Sequence, residues 1–389
     1  MGRFFIIALV LLLGQISFGQ ADLKFKKIDK HALKTPKSIG NDLPQLVDYL
    51  SSKSTTDFEK VRSFYIWMVN NIDYDYTAYK SGTKRINHSN KDVLNRKRAV
   101  CQGYSNLIQE MCRRTKIPCQ VVIGYPKTPR DATPDLSTAN HTWNAVLING
   151  KWYLLDATWG AGNGKEQLEE YFLSPPEIFI IDHLPNDPMW QLLDCPIQVE
   201  QFKKKEENLS KYVKNLNKCF NFQDSILQFM SLTKPEKKLK NAINAYRFNP
   251  IEENKKYVGS MYMDKVSYLS DLSYELEVQN SFEAVMKIQF EIIEVSEKAS
   301  KYVELYAHQK ENLAYTHFNY AVALSGQLTV FESQNDKSAI VECYKKMLHH
   351  FEKGKVILSE VPPNILAENG IKQFDDYIEY VRSRLKSYQ

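Results

Sequence analysis

Between Phe58 and Met68 the apolar residues Phe58, Val61, Phe64, Tyr65 and Met68 repeat at the spacing of one helix face. Thr55-Thr56-Asp57 stands ahead of them, and Glu59 supplies the acidic residue of a capping box. The pattern predicts a helix from about residue 57 that closes at Asn71-Ile72-Asp73. Trp67 lies on this helix and reads as core. A second helical run follows: Tyr104, Leu107, Ile108 and Met111, with Arg113, Arg114 and Lys116 near its end and Pro118 as its stop. That helix opens at Cys101, and Cys112 on it reads as core.

The period then changes to that of strands. Cys119 to Gly124 reads as a buried strand. Residues 142–148 and 151–156 are rich in β-branched and aromatic residues, and Asn149-Gly150 between them is a hairpin signal, because a type I′ turn needs positive φ at both central positions. A two-residue loop sets Ile148 opposite Lys151, and hence Trp143 opposite Asp156. His141, two residues from Trp143, shares its face. His141 and Asp156 are therefore expected as diagonal neighbours, with Cα atoms roughly 7–8 Å apart. A one-residue slip would separate them.

The intervals are polar. Residues 20–54 read as a lead-in and 77–99 as a basic loop running to Cys101. Residues 126–140, with Pro126, Pro129 and Pro134, read as a long loop, equally a substrate gate or a plain insertion. Trp159 to Gly164 reads as a glycine-rich turn. Beyond about residue 200 the chain becomes rich in Lys, Glu, Leu, Ile and Tyr at helical spacing. Phe282, Val285, Met286, Ile292 and Ile293 form one apolar face, broken by Gln289; Ile340, Cys343, Met347 and Phe351 form another. Asn249-Pro250 and Val361-Pro362-Pro363 read as breaks between helices. Leu313–Ala323 with Ala339–Phe351 resembles one tetratricopeptide hairpin, without the three repeats a solenoid needs. The expected organisation is a signal peptide over 1–19, an α+β domain over 20–200 and an all-helical domain over 201–389, with the boundary at the charged run after Phe202.

Composition narrows the class. Of 389 residues, 43% are hydrophobic and 25% charged, the values of a globular protein. A net charge of +5 with no basic stripe gives no case for nucleic acid. Arg3 followed by the apolar run Phe4–Leu13, then Ser17 and Gly19 as small residues before Gln20, has the form of a secretory signal. No later run reaches membrane length. The expected product is exported, periplasmic or extracellular, and soluble. Cysteines fall at 101, 112, 119, 195, 219 and 343, with no C-x-x-C pair to suggest a structural zinc. Export permits a disulfide between Cys195 and Cys219; buried free thiols are as good a reading.

Chemistry concentrates at Cys101, His141 and Asp156. A helix N-terminus stabilises a thiolate, and a carboxylate beside a histidine fixes its tautomer. Each residue alone has an ordinary structural reading; together they suit a nucleophile, a base and an orienting acid. As metal ligands they lack a fourth partner, and no cofactor is expected. Asp73 and Asp75 lack the spacing and glycine of a calcium loop.

Val100-Cys101-Gln102-Gly103-Tyr104, Ile117-Pro118 ahead of Gly124-Tyr125, Asn140-His141-Thr142-Trp143-Asn144 and Trp152 to Trp159, together with Tyr171-Phe172-Leu173, His183-Leu184-Pro185 and Trp190 to Leu193, resemble the transglutaminase-like superfamily, in the branch that includes the kyphoscoliosis peptidase. The resemblance spans about residues 55–200. It implies a papain-like α+β fold, a Cys101-His141-Asp156 triad and amide chemistry through a thioester on a protein or peptide substrate. Ala157 stands where the family usually has proline. The resemblance would offer Trp67 as an oxyanion donor; its place on a regular amphipathic helix favours the core. The backbone amide of Cys101 is the natural donor, and Gln102 reads as an ordinary first-turn residue. The alternative is a non-enzymatic module that binds a peptide or cell-wall strand, with the helical domain docking a protein partner or covering the cleft as a lid.

Overall fold

The computed structural model describes residues 25–81, 89–128, 133–162 and 168–388. The expected signal peptide over 1–19 lies outside these residues, as do parts of the loops expected at 77–99, 126–140 and 159–164. The chain divides into two compact units, residues 1–227 and 228–389.

In the first unit, α1 (Asp57–Asn71) begins where the pattern places it. Thr56 Oγ1 accepts from the Glu59 amide, and the Glu59 carboxylate accepts from the Thr56 amide. The helix is buried on nearly every side from Val61 to Val69, more than one apolar stripe predicts. Even Arg62 is 2% exposed; it pairs with Asp29 and Glu169, and its guanidinium lies over the rings of Phe25 and Phe172. Helix α2 (Cys101–Arg114) packs Leu107, Ile108 and Met111 against Phe64 and Met68 of α1 and against the sheet, in one core. Burying each such side chain contributes about 1.5–3 kcal/mol.

The sheet contains β1 (Cys119–Pro126), β2 (His141–Ile148), β3 (Lys151–Leu155) and β4 (His183–Pro185), in the order β3-β2-β1-β4, antiparallel throughout. The hairpin has the expected register, with Ile148 facing Lys151 and Asn144 facing Leu155. Asn149 and Gly150 both have positive φ, at 51° and 77°. Gly124 on β1 pairs with His141 on one side and Pro185 on the other. A Cβ there would collide with the Leu184 carbonyl and the Trp143 ring, so only glycine lets β2 and β4 close on β1 at this level.

Two polar intervals contain structure that periodicity did not reveal. The expected loop at 77–99 includes the helices Tyr76–Ser81 and Asn90–Arg96 and a two-residue strand, Arg98–Ala99, parallel to Asp73–Tyr74. Ser89 caps the second helix, and its only fully buried apolar residues are Val93 and Leu94, too few to establish a period. The lead-in includes helical residues 25–33 and the helix Leu43–Ser51, capped by Asp42. Cys195 and Cys219 form a disulfide that closes a 24-residue separation. The short helices Val199–Phe202 and Glu206–Lys214 also belong to the first unit, where Lys127 Nζ donates to the carbonyls of Phe202 and Lys204.

The second unit is all-helical, as the spacing predicts. Its helices α3 (Lys234–Phe248), α4 (Glu252–Val278), α5 (Phe282–Ala299), α6 (Ala307–Ser333), α7 (Lys337–Ser359) and α8 (Ile365–Lys386) each pack on the next. Ile340, Cys343, Met347 and Phe351 are buried together with Phe318 and Phe374. On α5 the expected face is shifted: Phe282 is 73% exposed at the first turn, whereas Gln289 is buried. Inside this unit His317 and His350 meet through their Nδ1 atoms at 2.9 Å, and Nε2 of His317 has no partner among the described residues. Among the described residues no helix is long and apolar enough to cross a membrane.

Candidate active site

Cys101 is the first residue of α2 and is half-buried with a free thiol. No side chain caps the helix at Val100, and its first turn carries no acidic residue. The partial positive charge of that terminus is therefore left for the sulfur. Position relative to the sheet is set one turn later, where Ser105 Oγ donates to Thr142 Oγ1 at 3.2 Å and Asn144 Nδ2 donates to the Ser105 carbonyl at 3.0 Å. These buried bonds fasten β2, and His141 at its start, across the N-terminal turn of α2.

His141 Nε2 lies 2.7 Å from Asp156 Oδ2, as the hairpin register requires. An ionised carboxylate only accepts, so Nε2 carries a hydrogen and Nδ1 is left for the thiol. The electrostatics fit that arrangement. Burial pushes the Cys101 thiol up, but the hydrogen bond and charge of His141, with further bonds from Thr142, bring it below its ordinary value. Burial alone would depress His141; Asp156 and Cys101 outweigh it and push the imidazole up to about 10. Asp156 stays well below the usual carboxylate range: burial opposes ionisation, and His141 and His183 overcome it.

Asp156 also caps the turn Ala157–Gly160, where its Oδ1 accepts from the amides of Thr158 at 2.7 Å and Trp159 at 3.2 Å. The orienting and capping readings of this residue are both realised, one on each oxygen. On Oδ2 a second imidazole joins His141, since His183 Nε2 lies 3.1 Å away. His183 Nδ1 is 2.5 Å from Asp182 Oδ1, and Tyr171 donates to Asp182 Oδ2 at 2.6 Å. Sequence reasoning gave His183 no role. It sits on β4, which joins the sheet through β1, and nothing local to it signals that pairing.

Two other candidates make contacts elsewhere. Gln102 Nε2 donates to Asn106 at 2.8 Å, along its own helix. Trp67 is 1% exposed in the core, with the Lys97 ammonium over its ring. His141, Asp156 and His183 also have donor atoms within 4.8 Å of one another, and their types suit zinc. Asp156, however, already accepts four hydrogen bonds, two on each oxygen, which satisfies both. The cluster reads as hydrogen-bonded.

The helix that opens at Cys101, the strand that opens at His141 and Asp156 at the end of the hairpin all fall inside one family match. Residues 44–157 match the transglutaminase-like superfamily. They form a transglutaminase-like domain. The chain is 35% identical over 189 residues to the human kyphoscoliosis peptidase, covering 46% of this chain and 28% of that protein. It is 27% identical over 203 residues to Hillarin of Drosophila melanogaster, covering 46% and 24%. Against cytokinesis protein 3 of Schizosaccharomyces pombe it is 25% identical over 190 residues, covering 44% and 20%. The chain thus spans about a quarter of the length of these relatives. His183 lies beyond the transglutaminase-like match, although the structure brings it onto Asp156.

Proposed function

We propose that the transglutaminase-like domain is a cysteine acyl-transfer enzyme acting on amide bonds of protein or peptide substrates. The observation that carries this reading is the 2.7 Å bond from His141 to Asp156 in a cluster whose charges favour ionising Cys101 at an open helix N-terminus. In this mechanism the Cys101 thiolate attacks a carbonyl, and the backbone amide of Cys101 faces the developing oxyanion. His141 gives its proton to the leaving amine, Asp156 holds the ring throughout, and a thioester remains on Cys101. Water then completes hydrolysis, or an amine completes transamidation. The protein acts after export: its first residues have the form of a signal, and the Cys195–Cys219 disulfide suits an oxidising compartment.

The test is iodoacetamide labelling of Cys101 against pH in the mature protein and in His141→Ala. Rapid labelling below the ordinary thiol pKa of ~8.5, lost in the variant, is expected and licenses assays of amide hydrolysis and amine incorporation. Titration near ~8.5 in both proteins would sink the reading. A second reading, a module that binds its ligand without turning it over, is favoured by relatives such as Hillarin, whose names state no enzymatic activity. Cys101→Ala that retains ligand binding and biological effect would select it, and the helical unit would then serve as a partner-docking element.

A further inference from the structure

His183 is 0% exposed, yet both of its ring nitrogens face carboxylate oxygens: Nδ1 faces Asp182 at 2.5 Å and Nε2 faces Asp156 at 3.1 Å. A neutral imidazole offers one N–H, whereas carboxylate oxygens accepting at both ring nitrogens require two. The rings of Phe179 and Trp159 pack on His183 with centroids at 4.2 and 4.4 Å, and Trp143 at 5.0 Å; aromatic walls accommodate a cation. The titratable groups facing it are Asp156, Asp182, His141 at 5.3 Å between ring centroids, and the Tyr171 hydroxyl through Asp182. Beyond them, Tyr65 feels the charge of Asp156 and Lys127 that of Asp182.

We infer that His183 is a positioning residue of the proposed triad, a buried imidazolium that fixes Asp156 and tempers its hold on the proton of His141. Resting on the cysteine-enzyme reading, the inference adds a fourth member from outside the matched domain. Asp156 Oδ2 is shared between the two rings, so the charge of His183 offsets part of the negative potential at His141. Without that offset Asp156 would bind the His141 proton more tightly and release it less readily to a leaving amine. His183 also bridges two segments: Asp182 on one side is anchored by Tyr171, and Asp156 on the other ends the catalytic hairpin.

His183→Gln removes the charge and retains one donor for Asp156. Loss of a nearby positive charge raises every acid that feels it. Both limbs of the Cys101 labelling profile, the thiol and the imidazolium, are therefore expected to move up together by about one pH unit. A purely structural role would reduce the amount of reactive protein and leave both limbs in place. A profile of unchanged position in folded His183→Gln, judged by tryptophan fluorescence, overturns the inference. Should the variant fail to fold, nitrogen-detected NMR of the histidine rings in the unmodified protein decides: a ring doubly protonated at neutral pH and shielded from solvent is expected, and a neutral His183 tautomer refutes it. An ordinary thiol titration in the unmodified protein overturns the triad reading and this inference with it. An activated thiol whose profile His183→Gln does not move overturns the inference alone.

Discussion

Acid should loosen the helical unit before the transglutaminase-like unit, because His317 and His350 are buried against each other. Desolvation dominates both, followed for His317 by the charges of His350, Lys353 and His349, and for His350 by that of His349. The rings of Tyr320 and Phe290 cover His350 and supply no counter-charge. The folded-state values fall to about 3 for His317 and about 4 for His350, against ~6.5 for a free imidazole. A histidine with a lowered folded pKa leaves stability intact above the unfolded value and removes it as pH falls below. At about pH 5 the unfolded chain has bound protons that the folded unit still refuses, about 1.5 pH units of linkage per ring. At 1.36 kcal/mol per unit this is about 2 kcal/mol each, or about 4 kcal/mol for the pair. With a urea slope of about 2 kcal/mol per M, the unfolding midpoint of the helical unit should fall by about 2 M between about pH 7.5 and pH 5. All five tryptophans, at 67, 143, 152, 159 and 190, lie in the first unit, so their fluorescence follows that unit alone. Far-UV circular dichroism follows the helices. His141 and His183, whose folded pKa values are raised, have the opposite sign: their stability is present below ~6.5 and lost as pH rises. The dichroism midpoint should therefore move with acid while the fluorescence midpoint does not fall with it, and His350→Gln should remove about half of the dichroism shift. Equal dichroism midpoints at the two pH values, or an undiminished shift in His350→Gln, would refute the reasoning.

Asp156→Asn keeps an oxygen for the amides of Thr158 and Trp159 but removes the charge behind His141. Labelling of Cys101 should move toward the ordinary thiol titration near ~8.5, and any amide turnover should fall by about 10⁴-fold, read from initial rates. Gly124→Ala places a methyl against the Leu184 carbonyl and the Trp143 ring. It should cost about 1–3 kcal/mol in the fluorescence-detected unfolding midpoint and slow Cys101 labelling, since His141 and β4 are held by that residue's two flanks. Replacing Cys195 and Cys219 by serine opens the 24-residue link and should destabilise the first unit by about 3 kcal/mol, measured by urea unfolding; a loss below about 0.5 kcal/mol would show that the loop is already constrained by its packing.

Much of the core and the candidate site was legible because the relevant information is local. The capping box at Thr56 and Glu59, the period of α2 and the Asn149-Gly150 turn act within a few residues, and they set α1, α2 and the hairpin register. The register in turn brought His141 to Asp156, since side chains alternate strictly along a strand. The short helices Tyr76–Ser81 and Asn90–Arg96 were not legible, being only six and seven residues long and carrying few apolar positions. The exposed Phe282 and buried Gln289 escaped for another reason: periodicity gives the apolar stripe, and only the neighbouring helices decide which edge of it is covered.

The sequence by itself determined the chemistry available, Cys101 at a helix start with His141 and Asp156 on one face of a tight hairpin, and the change after residue 200 to an all-helical pattern. Tertiary structure alone decided what surrounds that chemistry. The packing of α2 on β2 through Ser105, Thr142 and Asn144 holds the Cys101 end of that helix to the His141 end of the strand. The pairing of β4 with β1 across Gly124 delivered His183 to the same carboxylate oxygen from 27 residues further along the chain. Contacts of that kind depend on which strands become neighbours. That choice is set by the collective burial of a whole sheet face and leaves no periodic mark on the residues that meet.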